Sequence, residues 1–255
     1  MTNLVPSVVL EGVAELIEQN GQDPVELFRR VGIPEAALFE PNVLIRPEHC
    51  ANLLELAAVE CSDPFFGLKV GCLQRFDIMG NLWLMARQTE TIGEEMQLIS
   101  ENLALHTDSM TSYISSDSPS GKLMSFEFKT PVNPQSLEQP LTRSRVQVSE
   151  LALSLTCNEF RRSLGRDLMP DYVQFRHAAP ATDRTPLYKV FGHRVFFNQD
   201  VHAIHLTSED FSRPKTQGPR SEAAKEIHKK IHGHFNPPSD WASLSSVVLT
   251  GLFGC

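Results

Sequence analysis

Nowhere in the 255 residues does an apolar run approach the roughly 20 residues that cross a bilayer. The segment Met1–Leu16 has no basic cluster, and Glu11 interrupts its apolar part, so it does not read as a secretion signal. A cationic surplus is missing too. The net charge is −8, whereas a domain that grips phosphate backbone by itself is usually basic, so direct nucleic-acid binding by these residues is not expected. Cysteine is sparse: Cys50, Cys61, Cys72, Cys157 and Cys255 are an odd number without C-x-x-C spacing, which fits reduced, mostly buried thiols and a cytoplasmic protein. No G-x-S-x-G, Walker loop or dinucleotide fingerprint occurs, and no spacing of Ser, His and Asp nominates a triad, so no enzyme is expected. His228 and His232 have a spacing that can hold a metal, but no Glu adjoins the first and nothing completes the ligand set. They read as part of a solvated linker helix, and neither metal nor cofactor is expected.

What is present is ordinary globular composition, 41% hydrophobic and 21% charged, in a chain long enough for one sizeable core or two small ones. Helical periodicity dominates the first hundred residues. Val9, Val13, Leu16 and Ile17 share a face that Asn20-Gly21 ends. Asp23 caps the next helix, with Pro24 at its first position and Glu26 placed for a capping box. Cys50, Leu53, Leu54, Ala57, Ala58 and Cys61 form one inward stripe. Asp63-Pro64 starts a short helix, Gly80 to Arg87 another, and Thr91 with Glu94 opens one carrying Ile92, Met96, Ile99 and Leu103 inward.

The period then changes. Residues 111–115 and 122–130 predict a hairpin through a Ser/Pro/Gly-rich turn, with Met124, Phe126 and Phe128 on one face. A Pro-rich loop leads to a long helix from about Leu141 to Gly165, with Arg161 and Arg162 at its dipole-favoured end. Next come a strand at Val173–Arg176, a turn at Pro180, a helix, and strands after Phe191-Gly192. A last helix is expected over Ser221–His234, before Pro237-Pro238. These features imply an α+β fold, a helical N-terminal layer packed on a small, mainly antiparallel sheet.

The stretch Phe175-Arg176-His177-Ala178-Ala179-Pro180, followed by Phe191-Gly192-His193-Arg194-Val195-Phe196, resembles the arabinose-binding-like sensor half of AraC-type transcription regulators. Gly21 to Leu27, Ile45-Arg46-Pro47, Ser62 to Gly71, Thr91 to Glu94 and Ser149 to Leu153 fit the same family in order and spacing. The resemblance implies a sensor over residues 1–215, then a linker and lead-in, 216–255, to a C-terminal helix-turn-helix domain that the chain stops short of. DNA would be reached only through that domain. A stand-alone module without DNA binding is the alternative reading, and the reading frame past Cys255 separates the two. The resemblance also implies a small organic effector, ligand-linked changes in dimerisation or DNA-binding posture, and a homodimer through helices, either Leu141–Leu164 or Thr91–His106.

For the effector, Trp83, Phe126, Phe128, Tyr172 and Phe175 are candidate apolar lining, where the helical layer meets the sheet. Arg46, Arg143, Arg145, Arg176 and His177 are candidate polar groups, which favours an anionic effector over a cation.

Overall fold

A computed structural model describes residues 4–118, 121–128, 145–165 and 167–216. The expected helix Ser221–His234, the pair His228 and His232, and Arg143 lie outside the described residues. So does the start of the long helix at Leu141.

Local signals set most of the helix starts. Gly12, at φ 79°, separates a 3-10 turn over Ser7–Leu10, which carries Val9, from α1 (Val13–Gln19), so this helix begins later than its periodicity suggests. The Asp23 carboxylate accepts the Val25 N–H at 2.9 Å and starts α2 (Pro24–Arg30). Glu26 does not complete a capping box; it pairs with Arg29 at 2.6 Å. The stripe of α3 (Pro47–Glu60) is buried at Leu53, Leu54, Ala57 and Ala58, while Cys50 and Cys61 at its ends are half-buried. α4 (Phe66–Leu73) and α5 (Asn81–Ala86) follow. At α6 (Ile92–Asn102), Thr91 Oγ1 accepts the Glu94 N–H at 3.1 Å, and Glu94 Oε2 in turn accepts the Glu90 N–H at 2.8 Å. α7 (Val146–Leu164) ends at Gly165, φ 125°. Its terminal arginines bind carbonyls: Arg161 donates to Leu168 at 2.9 Å and also to Val190, and Arg162 donates to Gln74 at 3.1 Å.

Two apolar cores result. The ribbon β1 (Val5–Pro6) and β2 (Leu44–Ile45) closes the first with α1, α2 and α3, around Val13, Ile17, Phe28 and Leu53. The second lies between α5, α6, α7 and a five-stranded sheet. Its strands are β3 (Met110–Ser118), β4 (Gly121–Phe128), β5 (Tyr172–Gln174), β6 (Val195–Phe196) and β7 (His202–Thr207). α4 joins the cores, giving Phe66 and Val70 to one and Leu68 to the other.

The strand order is β3-β4-β7-β5-β6. All neighbours are antiparallel except β5 and β6, which α8 (Thr185–Phe191) connects. The fold is therefore α+β with a mainly antiparallel sheet, as the change of period predicts. Register pairs Phe126 with His202, and Ile204 with both Met124 and Val173, so these side chains share the inner face. Tyr172 and His205 pair on the outer face.

The chain leaves the sheet through α9 (Ser208–Ser212) and a strap over residues 213–216. Lys215 N–H donates to Glu90 O at 2.8 Å, and Thr216 N–H and Oγ1 both donate to Ser163 O. The Lys215 ammonium is buried, 2.8 Å from Glu95 Oε2 on α6.

Candidate functional site

The inner face of the sheet carries an aromatic cluster that meets α7. Phe175 and His177 stack at a tilt with centroids 4.7 Å apart, Phe197 lies 5.6 Å from His177, and His202 lies 5.6 Å from Phe128. Glu150 on α7 faces this cluster and is only 1% exposed, and His177 is 5% exposed. Glu150 Oε1 is 3.8 Å from His177 Nε2, beyond hydrogen-bond reach. Glu150 Oε2 and His177 Nε2 have no hydrogen-bond partner. Buried polar atoms are nearly always paired, so an unpaired facing couple is informative. The Ser112 hydroxyl, beside Phe126 in the sheet, is buried and unpartnered as well.

The histidine's tautomer follows from its other nitrogen. Nδ1 is 3.0 Å from the Ala178 carbonyl, which can only accept, so Nδ1 carries the proton and neutral His177 presents a lone pair at Nε2. Burial lowers the pKa of His177, and it lowers His202 to about 4 with help from His177 and Arg176. Burial raises Glu150 to about 8, reinforced by the charges of Glu55 and Asp63. Glu55 rises to about 7 through burial, although it accepts the Gln147 N–H at 2.9 Å and lies near Arg145.

The sequence candidates separate into two groups. Phe126, Phe128, Phe175 and His177 come together on the inner face. Tyr172 is on the outer face, stacked on His205 with centroids 4.5 Å apart. Trp83 is half-buried beneath the Arg87 guanidinium, 4.6 Å from the ring centroid. Arg176 is exposed. Arg46 is exposed, precedes α3 and pairs with Glu48 at 3.3 Å. Arg145 is half-buried at the N-terminus of α7 with φ 43°. Glu150, His202, Phe197 and Ser112 complete the cluster without having been singled out as ligand groups from the sequence. Away from this cluster, an open groove of ≈ 600 Å³ runs between α6 and α9 past Thr89, Gln97 and Phe211. None of the sequence candidates lines it.

The buried carboxyls predict a pH dependence. Glu55, Glu95 and Glu150 have folded-state pKa values raised to about 7, 7 and 8, mainly by burial. Their stability contribution is complete below the unfolded value near 4.5 and is lost as pH rises through the folded values. The buried histidines act oppositely, but above about pH 6.5 they are neutral in both states. Urea midpoints should therefore fall between about pH 6.5 and 8. Glu150→Gln should flatten that fall, and an unchanged slope in the variant would exclude Glu150 as a source.

Comparison with known proteins places this α+β domain among the regulatory domains of transcription regulators. Residues 21–215 match the family described as the arabinose-binding domain of AraC transcription regulators, N-terminal, and the chain belongs to that family. It is 25% identical over 181 residues to the HTH-type transcriptional regulator VirS of Mycobacterium tuberculosis, in strains CDC 1551 and H37Rv. The match covers 71% of this chain and 51% of VirS, so the chain spans about half the length of those relatives. The crystal structure of the transcriptional regulator CdpR from Pseudomonas aeruginosa shares the fold, with TM-score 0.56, 14% identity, 90% of this chain and 73% of that chain covered. The family and these relatives are transcription regulators, not enzymes. No helix among the described residues is long and apolar enough to cross a membrane.

Proposed function

We propose that this chain is the effector-sensing half of a transcription regulator and that the effector, a small organic molecule, binds at the seam between α7 and the inner face of the sheet. The observation that carries the reading is the pair of unpartnered buried atoms, Glu150 Oε2 and His177 Nε2, set among Phe126, Phe128, Phe175 and His202. Binding would favour one placement of α7 over another, since a ligand shifts a population only through differential contacts. The strap is a suitable reporter. Thr216 is bonded to Ser163 near the end of α7, and Lys215 to Glu95 on α6, so motion of either helix is felt where the chain leaves the domain. DNA contact would come from a helix-turn-helix domain joined after residue 216. A symmetric dimer would suit paired half-sites. The exposed side of α6 is the candidate surface, and sedimentation showing only monomer at tens of micromolar would remove it.

The test of the site is a thermal-shift screen of amines, amino acids, organic acids, fatty acids and sugars. A ligand at a hundred times its dissociation constant should add about 2.7 kcal/mol, a shift of several degrees. Phe128→Ala and His177→Gln should weaken a hit at least tenfold. Arg46→Ala, on the exposed start of α3, should not. A hit indifferent to the first two variants would move the site elsewhere, the α6–α9 groove being the next place to look.

A further inference from the structure

We infer that the head group recognised at the seam is a protonated amine, held jointly by the Glu150 carboxylate and His177 Nε2. This rests on the seam being the effector site and assigns the chemistry that the site selects.

The first argument counts donors. His177 Nε2 is an acceptor, because the proton of the neutral ring is committed at Nδ1 to the Ala178 carbonyl. An ionised Glu150 is acceptor-only. Once Glu150 has given up its proton, two acceptors face each other 3.8 Å apart. One nitrogen placed to the side of that line can lie about 2.8 Å from both, the length of a charge-assisted hydrogen bond. An ammonium has the donors for this and a third to spare. A carboxylate has none and would add a negative charge beside Glu150.

The second argument is the surrounding charge. The charged and titratable groups acting on Glu150 are Glu55 from α3, Asp63 from the loop before α4, and His177 from the sheet side; His202 lies against His177, and Arg145, just before α7, acts on Glu55. Asp63 is paired with Lys69 at 2.6 Å. Arg176, the cation nearest in sequence to the cluster, is exposed. Burial and two neighbouring carboxyls hold Glu150 protonated near neutral pH, and a cation beside it favours the charged form, so amine binding is coupled to loss of that proton. The third argument is the ring lining. Phe197, 5.6 Å from His177, already takes one cation, the Arg184 guanidinium 5.6 Å from its ring centroid, so rings of this cluster do accept positive charge.

Uptake of the amine then releases one proton from Glu150. Affinity should rise about tenfold per pH unit below the Glu150 value of about 8 and level off above it. An alkylammonium stays charged throughout that range.

The experiment titrates the 255-residue chain with hexylamine, phenethylamine, hexanoate and hexanol, by calorimetry and thermal shift, across the neutral-to-alkaline range. The amines should bind, with the stated pH slope and proton release. Glu150→Gln keeps the shape and the neutral form, so it should fold like the parent yet bind amines at least tenfold more weakly and without pH slope. Hexanol should not bind comparably. If no amine binds at millimolar concentration, or Glu150→Gln leaves amine affinity unchanged, the inference is overturned. If hexanoate or hexanol binds instead and Phe128→Ala weakens it, the seam survives as the site and only the head-group assignment fails. If Phe128→Ala and Glu150→Gln both leave every hit untouched, the seam itself is not the site.

Discussion

Lys215→Met should destabilise the fold by about 3–5 kcal/mol, the usual result of removing one partner from a buried ion pair. The Lys215 and Glu95 side chains are only 3% and 2% exposed. The ammonium donates to Glu95 Oε2 at 2.8 Å, Thr89 Oγ1 at 2.9 Å and Ala86 O at 3.0 Å, so its loss strands a carboxyl in a dry site. Burial already lifts Glu95 to about 7 against the pull of Lys215. Without the ammonium the carboxyl rises further and takes up a proton, which softens the cost in acid. The gap between parent and variant should therefore widen as pH rises through the folded value and narrow below it. Adding Glu95→Leu should recover most of the loss, because a buried pair replaced by apolar groups is often neutral or better. Urea unfolding of the three proteins at two pH values decides the matter. A Lys215→Met midpoint equal to the parent's would show that the strap is not held by this pair.

The helix caps and the sheet face were legible because their signals are local. Asp23 and Thr91 cap where their spacing says they should. The alternation of Met124, Phe126 and Phe128 turns the same face inward, and the neighbouring strands supply His202 and Phe175 to it. His202 and His205, three apart on one strand, point to opposite faces and each finds its own partners, His202 among the inner rings and His205 beside Tyr172 and Asp171. Glu150 was not legible as a site residue, since a lone Glu on a long helix reads as solvated. A signal existed nonetheless. Val146, Glu150, Leu153, Cys157, Phe160 and Leu164 follow one alternating four-and-three spacing, so Glu150 occupies a core position of α7. Lys215 and Glu95 are 120 residues apart, and no local pattern could have joined them. Where the arginines point was not legible, because charge in a sequence carries no direction. Arg46 and Arg176 both face outward once folded.

Gly67→Ala and Gly71→Ala should each disrupt the junction between the two cores. A Cβ at Gly67 would lie 2.1 Å from the Gln147 carbonyl oxygen, and one at Gly71 2.1 Å from Ser154 Oγ and 2.4 Å from Leu151 O. The two glycines are one turn apart on α4 and let it approach the α7 backbone directly, which explains their place in Phe65-Phe66-Gly67-Leu68-Lys69-Val70-Gly71. To accept a methyl, α4 must retreat. That breaks the 2.7 Å bond from Gly67 N–H to Gln147 Oε1 and withdraws Phe66, Val70 and Leu68 from both cores at once. Overpacking costs about 1–3 kcal/mol, occasionally more, and the upper end or beyond is expected because the obstacle is backbone. A second substitution separates the two positions. Ser154→Gly removes the nearest atom to Gly71 and should recover part of the Gly71→Ala loss. It should do nothing for Gly67→Ala, where the three nearest atoms all belong to the Gln147 backbone. Thermal and urea melts of the two single and two double variants read this pattern. Near-parent stability for Gly67→Ala, or equal rescue of both by Ser154→Gly, would mean that α4 and α7 do not pack backbone to backbone.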